Sequence, residues 1–328
     1  MISIGLLGCG RIGQVHAGSI ARLHNARLTA VSDFVPDAAQ ALAAQSGAEV
    51  RTTDAIITAS DIDAVIVATP TTLHYDQIHA LAAAGKAIFC EKPIDLSSAR
   101  AADCMAAVET AGVPFMTAFN RRFDPQFALL QSRLAAGAIG APELIIITSR
   151  DPSPPPVSYI EQSGGIFRDM MIHDFDMARF TLGEDIVEVF ATGSCLVDPA
   201  IGAAGDIDTA AVTLRTASGK ICQINNSRRA TYGYDQRVEV HGAAGMLQAA
   251  NQTENLVTEA GPTGFTSAPN KHFFLERYEA AYLAEMAHFV EALVTGAAPH
   301  PTIADGVEAQ KLADAAARSF TSKKPERP

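Results

Sequence analysis

The chain contains 328 residues, of which 48% are hydrophobic and 19% are charged. A chain of this length and composition can bury the cores of two domains, so it is not a disordered protein. Acidic residues outnumber basic ones by 36 to 25, and the resulting net charge of −11 argues against a protein that binds the phosphate backbone of nucleic acids.

The cysteine pattern fits neither a disulfide framework nor a zinc site. The five cysteines are an odd number without a CxxC pair, which favours a reducing cytoplasm. No apolar run reaches the roughly 20 residues needed to cross a bilayer. The N-terminus is interrupted by glycines and lacks the early basic residues of a signal peptide. We therefore expect a cytoplasmic protein.

The first 120 residues alternate between short apolar runs and helical patterns. We expect strands at 2–7, 28–32, 64–68, 87–90 and 115–118, and helices at 13–23, 36–46, 73–84 and 97–111. Apolar strands separated by amphipathic helices are typical of a parallel sheet that is covered on both faces. This part of the chain is therefore predicted to form an α/β doubly wound Rossmann domain.

The pattern changes after Phe123. Helices are predicted at 125–136 and through His173 to Leu182, and strands at 143–149, 187–196, 210–216, 221–227, 236–241 and 246–249. Strands joined by short turns indicate an antiparallel or mixed sheet. We expect a cofactor domain at 1–120 and a second domain for substrate binding and oligomerisation at 121–328. Two late helices, at 278–295 and 305–320, are expected to pack back on the first domain, and the tail 323–328 to be disordered.

A GxGxxG sequence follows the first predicted strand and opens the first helix. Gly8 allows the tight turn, Gly10 lets the backbone approach a pyrophosphate, and Gly13 lets the helix pack closely on the strand. The helix N-terminus, at Arg11 and Ile12, offers its N–H groups to the phosphates. The alternative is an ordinary glycine turn. The position of the motif between strand and helix favours a dinucleotide site.

Asp33 ends the second predicted strand, 20 residues after Gly13. A carboxylate there accepts a hydrogen bond from the ribose 2′-hydroxyl and repels a 2′-phosphate, which favours NAD over NADP. The residues after the strand at 64–68 should also contact the cofactor, because ligands bind beyond the carboxyl ends of the strands. These residues are Ala68, Thr69 and Pro70, with His74 either facing the same crevice or capping the next helix.

Two further segments carry candidate chemistry. Glu91-Lys92-Pro93 follows the strand at 87–90, so Lys92 is expected at the crevice, and Pro93 is a candidate for a cis bond. In the segment 164–176, Asp169 and His173 are four residues apart and would share one face of a helix. An aspartate beside a histidine orients the imidazole and stabilises its charged form. A solvated lysine and a surface ion pair are the alternatives.

These motifs together resemble one family. GCGRIG at Gly8–Gly13, EKP at Glu91–Pro93 and GGIFRDMMIHDFD at Gly164–Asp176 resemble the Gfo/Idh/MocA oxidoreductases over almost the whole chain. The last stretch, with FNRRFD at 119–124 and SRDP at 149–152, looks most like the bacterial inositol dehydrogenases of that family. The resemblance implies a C-terminal α/β domain with a large open, mostly antiparallel sheet that mediates dimer or tetramer contacts.

The resemblance also implies a catalytic triad of Lys92, Asp169 and His173, in which the chain shows no departure from the family pattern. His173 would accept a hydroxyl proton while a hydride passes to nicotinamide, Lys92 would stabilise the substrate oxygen, and Asp169 would orient His173. Lys92 and Glu91 would also contact NAD. No metal is expected, because the nine histidines show no ligand spacing.

Substrate contacts are predicted from polar residues that follow strands feeding the crevice. They are Asn120, Arg121, Asp151 and Tyr232, in addition to the triad. Arg122 is weighed as a structural ion-pair partner. Tyr232 and Tyr234 point the same way if the segment is extended, and at least one of them is expected in packing.

Three functions follow in order of preference. The first is NAD-dependent oxidation of a ring hydroxyl of myo-inositol, and the second is the same reaction on scyllo-inositol, an aldose or another polyol. The third is a non-catalytic NAD-binding redox sensor, which has no need of the triad. We expect a homo-oligomer, either a tetramer or a dimer, and no nucleic-acid or membrane partner.

Overall fold

The computed structural model describes residues 1–160 and 162–328, and the chain in it divides into two compact units. The first unit comprises Met1–Phe123 and Ala281–Gln310. The second comprises Asp124–Ala280 and Lys311–Pro328. The chain thus leaves the first unit close to the sequence-based boundary at residue 120 and returns to it at Ala281.

The first unit alternates strands and helices along its N-terminal part. Its strands are β1 (Ile2–Leu7), β2 (Ala26–Ser32), β3 (Glu49–Val50), β4 (Ala64–Val67), β5 (Ala87–Cys90) and β6 (Phe115–Thr117). Its helices are α1 (Arg11–Ala21), α2 (Pro36–Ser46), α3 (Thr53–Thr58), α4 (His74–Ala83) and α5 (Ser98–Ala111), with short 3₁₀ turns at Thr71–Leu73 and Asn120–Phe123.

The six strands form one parallel sheet in the order β3-β2-β1-β4-β5-β6. The chain reverses its direction of winding between β1 and β4, where a doubly wound sheet opens a crevice at the carboxyl ends of its strands. The end of β4 is tied to β1, because the Ala68 N–H donates to the Leu7 carbonyl at 2.8 Å. The Rossmann prediction is confirmed.

Both faces of this sheet are buried, which explains why its strands read as continuous apolar runs. On one face, Met286 and Phe289 of α12 (Glu279–Thr295) pack in the same core as Phe89 of β5. On the other face, Ile303 and Val307, at the start of α13 (Ile303–Ser322), join the core formed with α4 and α5. The apolar residues of α12 and of the first part of α13 therefore belong to the core of the first unit.

The second unit combines one large sheet with several helices. Its strands are β7 (Pro142–Arg150), β8 (Ile186–Ser194), β9 (Thr209–Thr216), β10 (Ile221–Ser227), β11 (Asp235–Gly242), β12 (Gly245–Ala249), β13 (Thr258–Gly261) and β14 (Gly264–Ser267). Its helices are α6 (Pro125–Ala135), α7 (Val157–Ser163), α8 (Gly165–Asp169), α9 (Ile172–Leu182), α10 (Pro199–Ala203) and α11 (Phe274–Arg277), together with the second half of α13.

The large sheet has the order β12-β11-β7-β10-β9-β8 and is antiparallel except for the β7–β10 pair. Residues alternate across it, so Ile145 of β7 and Ile224 of β10 are buried. Phe190 of β8 is 41% exposed and lies on the opposite face. The predicted mostly antiparallel open sheet is confirmed.

Two predictions about the second unit are wrong. Asp169 and His173 do not lie on one helix, because α8 ends at Asp169 and α9 begins at Ile172. The N–H groups of Met170 and Met171 both donate to the Ile166 carbonyl, which closes the first helix before the second starts. The tail is ordered, because Val189 and Glu326 exchange two backbone hydrogen bonds of 2.9 Å. Tail composition does not reveal such pairing.

Several short elements were not predicted, among them β3, α3, α10 and the β13–β14 hairpin. Each is too short to show a hydrophobic period of its own. Among the described residues, no helix has both the length and the apolar composition of a membrane span.

Candidate functional site

The turn between β1 and α1 is tightly closed. Gly8 has φ +96°, and a Cβ on it would lie 2.8 Å from the Thr69 nitrogen, while a Cβ on Gly13 would overlap the Gly8 carbonyl oxygen. At Gly10, by contrast, a Cβ would meet no described atom within 4 Å. The N-cap residue of α1 is Gly10, which makes no side-chain capping bond to the first turn of the helix. This glycine-walled space at a helix N-terminus fits the pyrophosphate of a dinucleotide.

Asp33 accepts one backbone hydrogen bond from this turn and a second from its own segment. Its Oδ2 accepts from the Cys9 N–H at 2.6 Å, and its Oδ1 accepts from the Val35 N–H at 2.7 Å. Each carboxylate oxygen has two lone pairs, so both retain the capacity to accept a further bond. The carboxylate is therefore fixed beside the glycine turn, and its contact with a ribose hydroxyl stays a prediction.

His74 connects the loops that follow β4 and β5. Its ring is buried, with Nε2 at 2.9 Å from the Thr69 carbonyl oxygen and Nδ1 at 2.9 Å from the Pro93 carbonyl oxygen. Burial lowers the pKa of His74, although the hydrogen bonds to the two carbonyl oxygens act in the opposite direction and raise it. The ring braces the predicted cofactor residues Thr69 and Pro70, and its own contact with the cofactor stays a prediction.

Lys92 follows β5 directly, and the Lys92–Pro93 peptide bond is cis, as the sequence suggested. The neighbouring Glu91 is anchored, because its Oε1 lies 2.7 Å from His16 Nε2 on α1. The other oxygen of Glu91 accepts from the Lys92 N–H at 3.3 Å. Glu91 therefore links the backbone at Lys92 to the helix that carries the glycine turn.

Asn120 and Arg121 follow β6 and are 3% and 5% exposed. Their burial sets them apart from an ordinary surface loop. Arg122 is the structural ion-pair partner that the sequence suggested, with its Nη2 at 2.9 Å from Asp305 Oδ1. Lys92, Asn120 and Arg121 all belong to the first unit.

Asp169, His173, Asp151 and Tyr232 belong to the second unit. Asp169 at the end of α8 accepts a 2.8 Å hydrogen bond from the Tyr159 hydroxyl. His173 lies in the first turn of α9, so the Met170–Met171 break separates the two on successive helices. Asp151 follows β7, and its N–H donates to the Ser227 carbonyl at 3.0 Å.

The two tyrosines have different environments. Tyr234 is buried and packs edge-to-face against Tyr278, with ring centroids 6.0 Å apart. Tyr232 lies in a turn and is 48% exposed; its hydroxyl donates to Asp235 Oδ2 at 2.7 Å and accepts from Arg150 at 2.8 Å. The segment is a turn, so the alternation expected for an extended chain does not hold.

Tyr232 also lines a groove of about 560 Å³ on the sheet of the second unit, together with Arg150 and Asn225. The described residues that line this groove do not include Asp151, Asp169 or His173. The role of Tyr232 in substrate binding therefore stays a prediction, and its observed contacts are with the groove.

Comparison with known proteins gives the same division of the chain. Residues 2–119 match the oxidoreductase family with an NAD-binding Rossmann fold, and residues 127–248 match the GFO/IDH/MocA C-terminal domain. The chain belongs to the Gfo/Idh/MocA oxidoreductases. Its first unit is an NAD-binding Rossmann domain, and NAD is its cofactor.

Three relatives of this family are similar over nearly their full length. Inositol 2-dehydrogenase of Rhizobium meliloti is 53% identical over 98% of each chain. The structure of a myo-inositol dehydrogenase from Corynebacterium glutamicum has a TM-score of 0.96 and 41% identity, and covers 100% of this chain and 98% of the other. The structure of a scyllo-inositol dehydrogenase from Lactobacillus casei, with bound NAD(H) and scyllo-inositol, has a TM-score of 0.93 and 31% identity. The match covers 100% of this chain and 99% of the other.

Sequence reasoning in this Gfo/Idh/MocA chain missed a buried cluster in the first unit. His16, Glu91 and Glu285 bring their polar side-chain atoms within 4.8 Å of one another. The 2.7 Å separation of His16 and Glu91 is a hydrogen-bond distance, shorter than the spacing of two ligands around one Zn²⁺, about 3.3 Å for bonds of about 2.0 Å. Only long-range folding joins these residues, so local spacing carried no signal.

Glu285 is fully buried, and neither of its carboxyl oxygens has a hydrogen-bond partner among the described residues. Burial, with the nearby Glu91 charge, raises the pKa of Glu285 well above its ordinary value. The folded protein therefore holds a proton that the unfolded chain releases above about pH 4.5. In that range, folding stability falls as the pH rises.

Glu285→Gln should remove this pH dependence, because the amide is neutral in both the folded and unfolded states. The difference in the free energy of unfolding, variant minus wild type, should therefore grow as the pH is raised. It should grow by up to about 1.4 kcal/mol per pH unit over the range in which Glu285 stays neutral in the folded protein. Urea denaturation at pH 6, 7 and 8 measures it. Glu291→Gln, an exposed position on the same helix, is the control. A wild-type–variant difference that is constant with pH would contradict the assignment.

Proposed function

We propose that this chain oxidises a ring hydroxyl of myo-inositol to the 2-keto product with NAD as the hydride acceptor. The observation that carries the proposal is the match to inositol 2-dehydrogenase, at 53% identity over 98% of both chains. Lys92, Asp169 and His173 are all present, and a sensor without catalysis has no need of this set.

In the proposed reaction, His173 accepts the hydroxyl proton as the C–O–H group becomes a carbonyl. NAD, when bound, would accept the hydride from the same carbon. Lys92 donates a hydrogen bond to the substrate oxygen and stabilises the negative charge that develops there. Asp169 orients His173 and stabilises its imidazolium form, and the Tyr159 hydroxyl holds one oxygen of Asp169.

Asn120, Arg121 and Asp151 are proposed to bind the remaining hydroxyls. A polyol presents hydroxyl groups that both donate and accept, so an amide, a guanidinium and a carboxylate together match it. Glu91 and His74 support the cofactor side through the hydrogen bonds that hold the loops after β4 and β5.

A second candidate substrate is scyllo-inositol, which is bound in the Lactobacillus casei structure at a TM-score of 0.93. The two isomers differ in the orientation of one hydroxyl. Discrimination therefore depends on which polar side chain is left unpaired by the wrong isomer. An aldose or another polyol is a weaker alternative, since it changes more of these contacts.

Purified protein should reduce NAD in the presence of myo-inositol, and His173→Ala and Lys92→Ala should each lower kcat by about a hundredfold or more. NAD affinity should change little in His173→Ala. His241→Ala, an exposed histidine of the same unit, is the matched control. Unchanged turnover in either triad variant would remove that residue from the mechanism.

The choice of substrate is tested by a panel of myo-inositol, scyllo-inositol and hexoses under identical conditions. The proposal expects the highest kcat/KM with myo-inositol. A higher value with scyllo-inositol would favour the second candidate. NAD binding without NADH formation on any polyol would favour the sensor.

We further propose that the chain forms a homo-oligomer in the cytoplasm through the open face of its second sheet. Phe190 and Ile221 are 41% and 38% exposed on two of its strands, and a partner sheet would cover them. Five unpaired thiols are compatible with a reducing compartment. Light scattering should give the mass of two or four chains, and the mass of one chain would contradict the assembly.

A further inference from the structure

An ion cluster built on one buried arginine connects the two ends of the short helix α8. Arg228, directly after β10, is 1% exposed, and its N–H donates to the Asp208 carbonyl at 2.8 Å. Its Nη2 lies 3.6 Å from Asp169 Oδ2 and 3.7 Å from Asp206 Oδ2. Among the described residues, Nε and Nη2 of Arg228 have no hydrogen-bond partner. Attraction between charges, rather than a directed hydrogen bond, therefore joins the guanidinium to the two carboxylates.

Asp206 is held against the beginning of α8. Its Oδ1 accepts a 3.1 Å hydrogen bond from the Ile166 N–H. Gly165 has φ +80°, and a Cβ there would lie 2.7 Å from the same oxygen. The glycine in this sequence motif thus makes room for the Asp206 carboxylate, a role that the sequence did not reveal.

The cluster spans the whole of α8, with Asp206 at its start and Asp169 at its end. Arg228 contacts both, so it ties the position of Asp169 to the rest of the second unit. With both carboxylates ionised, one guanidinium leaves a net charge of −1 in a partly buried cluster.

We propose that Arg228 is a positioning residue that fixes the carboxylate of Asp169 and, together with Asp206, sets the proton affinity of the Asp169–His173 pair. The proposal rests on the proposed function, because it assigns His173 the role of the base. Arg228 and Asp206 act in opposite directions. The guanidinium opposes a charge on His173, and the Asp206 carboxylate favours it.

Other polar groups lie on helices of the second unit that flank α8 in the chain. Tyr159 of α7 donates to Asp169 and carries no charge as a phenol. Asp174 and Asp176 are buried on α9, and Asp174 Oδ2 accepts from Asn226 at 2.9 Å. These groups are the same in every variant below, so differences between the variants report on Arg228 and Asp206.

The test compares Arg228→Gln with Asp206→Asn. His173 must be neutral to accept a proton, so kcat falls at low pH with the pKa of His173. Removal of the positive charge should move this acidic limb to higher pH, and removal of the negative charge should move it to lower pH, each by about 0.5–1 unit. The NMR titration of the His173 ring in the NAD-free protein should move in the same two directions.

Two controls separate charge from structure. Arg228→Lys keeps the positive charge and should keep the acidic limb of the wild type. Arg229→Gln removes a positive charge one residue further along the chain and should also leave the acidic limb at its wild-type pH. A loss of packing alone would not produce opposite shifts in the two test variants. If Arg228→Gln does not fold, Arg228→Met takes its place, because it also removes the charge and keeps an unbranched side chain.

The assignment of Arg228 would be overturned if the acidic limb and the His173 titration matched wild type in both variants. It would also be overturned if both variants shifted them in the same direction. Failure of the proposed function gives a different result. In that case either no polyol would yield NADH or His173→Ala would retain turnover, whereas the NMR titrations of the NAD-free protein would still report the charge effects.

Discussion

The first unit depends on the close contact between α1 and the end of β1. There is no space for a Cβ at Gly13 beside the Gly8 carbonyl. This contact sets the direction of α1 and presents its N-terminus at the carboxyl edge of the sheet. Asp33 then closes the turn from β2 through its bond to the Cys9 N–H. The loops after β4 and β5 reach the same edge and are joined by His74. One tight approach of backbone to backbone thereby organises the cofactor side of the site.

Both units bring carboxyl groups close to one another in buried or partly buried positions, and each limits the resulting charge in a different way. In the first unit, the carboxyl oxygens of Glu285 have no hydrogen-bond partner among the described residues, and burial close to Glu91 raises the pKa of Glu285. In the second unit, Arg228 offsets part of the charge of Asp169 and Asp206. An uncompensated buried charge is costly, and protonation and ion pairing are the two means by which a fold avoids it.

The sequence predicts most of the Rossmann unit, because apolar strands, amphipathic helices and helix-ending glycines are local signals. Gly47 and Gly112, for example, adopt the positive φ of a helix end at the positions expected. The break between Asp169 and His173 was missed, because their four-residue spacing also fits one helix. The ordered tail was missed because its pairing with Val189 is a contact across the sequence.

The site shows the same limit. Glycine spacing, the strand-end Asp33 and the EKP motif are readable along the chain, whereas Arg228, Asp206 and Glu285 acquire their environment only through folding. Arg228 in sequence is one of two adjacent arginines at the end of a strand. Its 1% exposure and its two carboxylate partners are properties of the fold.

The most direct test of the account is a single turnover of the NAD-loaded protein with myo-inositol that carries deuterium on the carbon to be oxidised. The account predicts that the deuterium is transferred to the nicotinamide ring and that the deuterated substrate reacts more slowly. Formation of NADH without deuterium, or no NADH with myo-inositol at all, would contradict the proposed oxidation of that carbon.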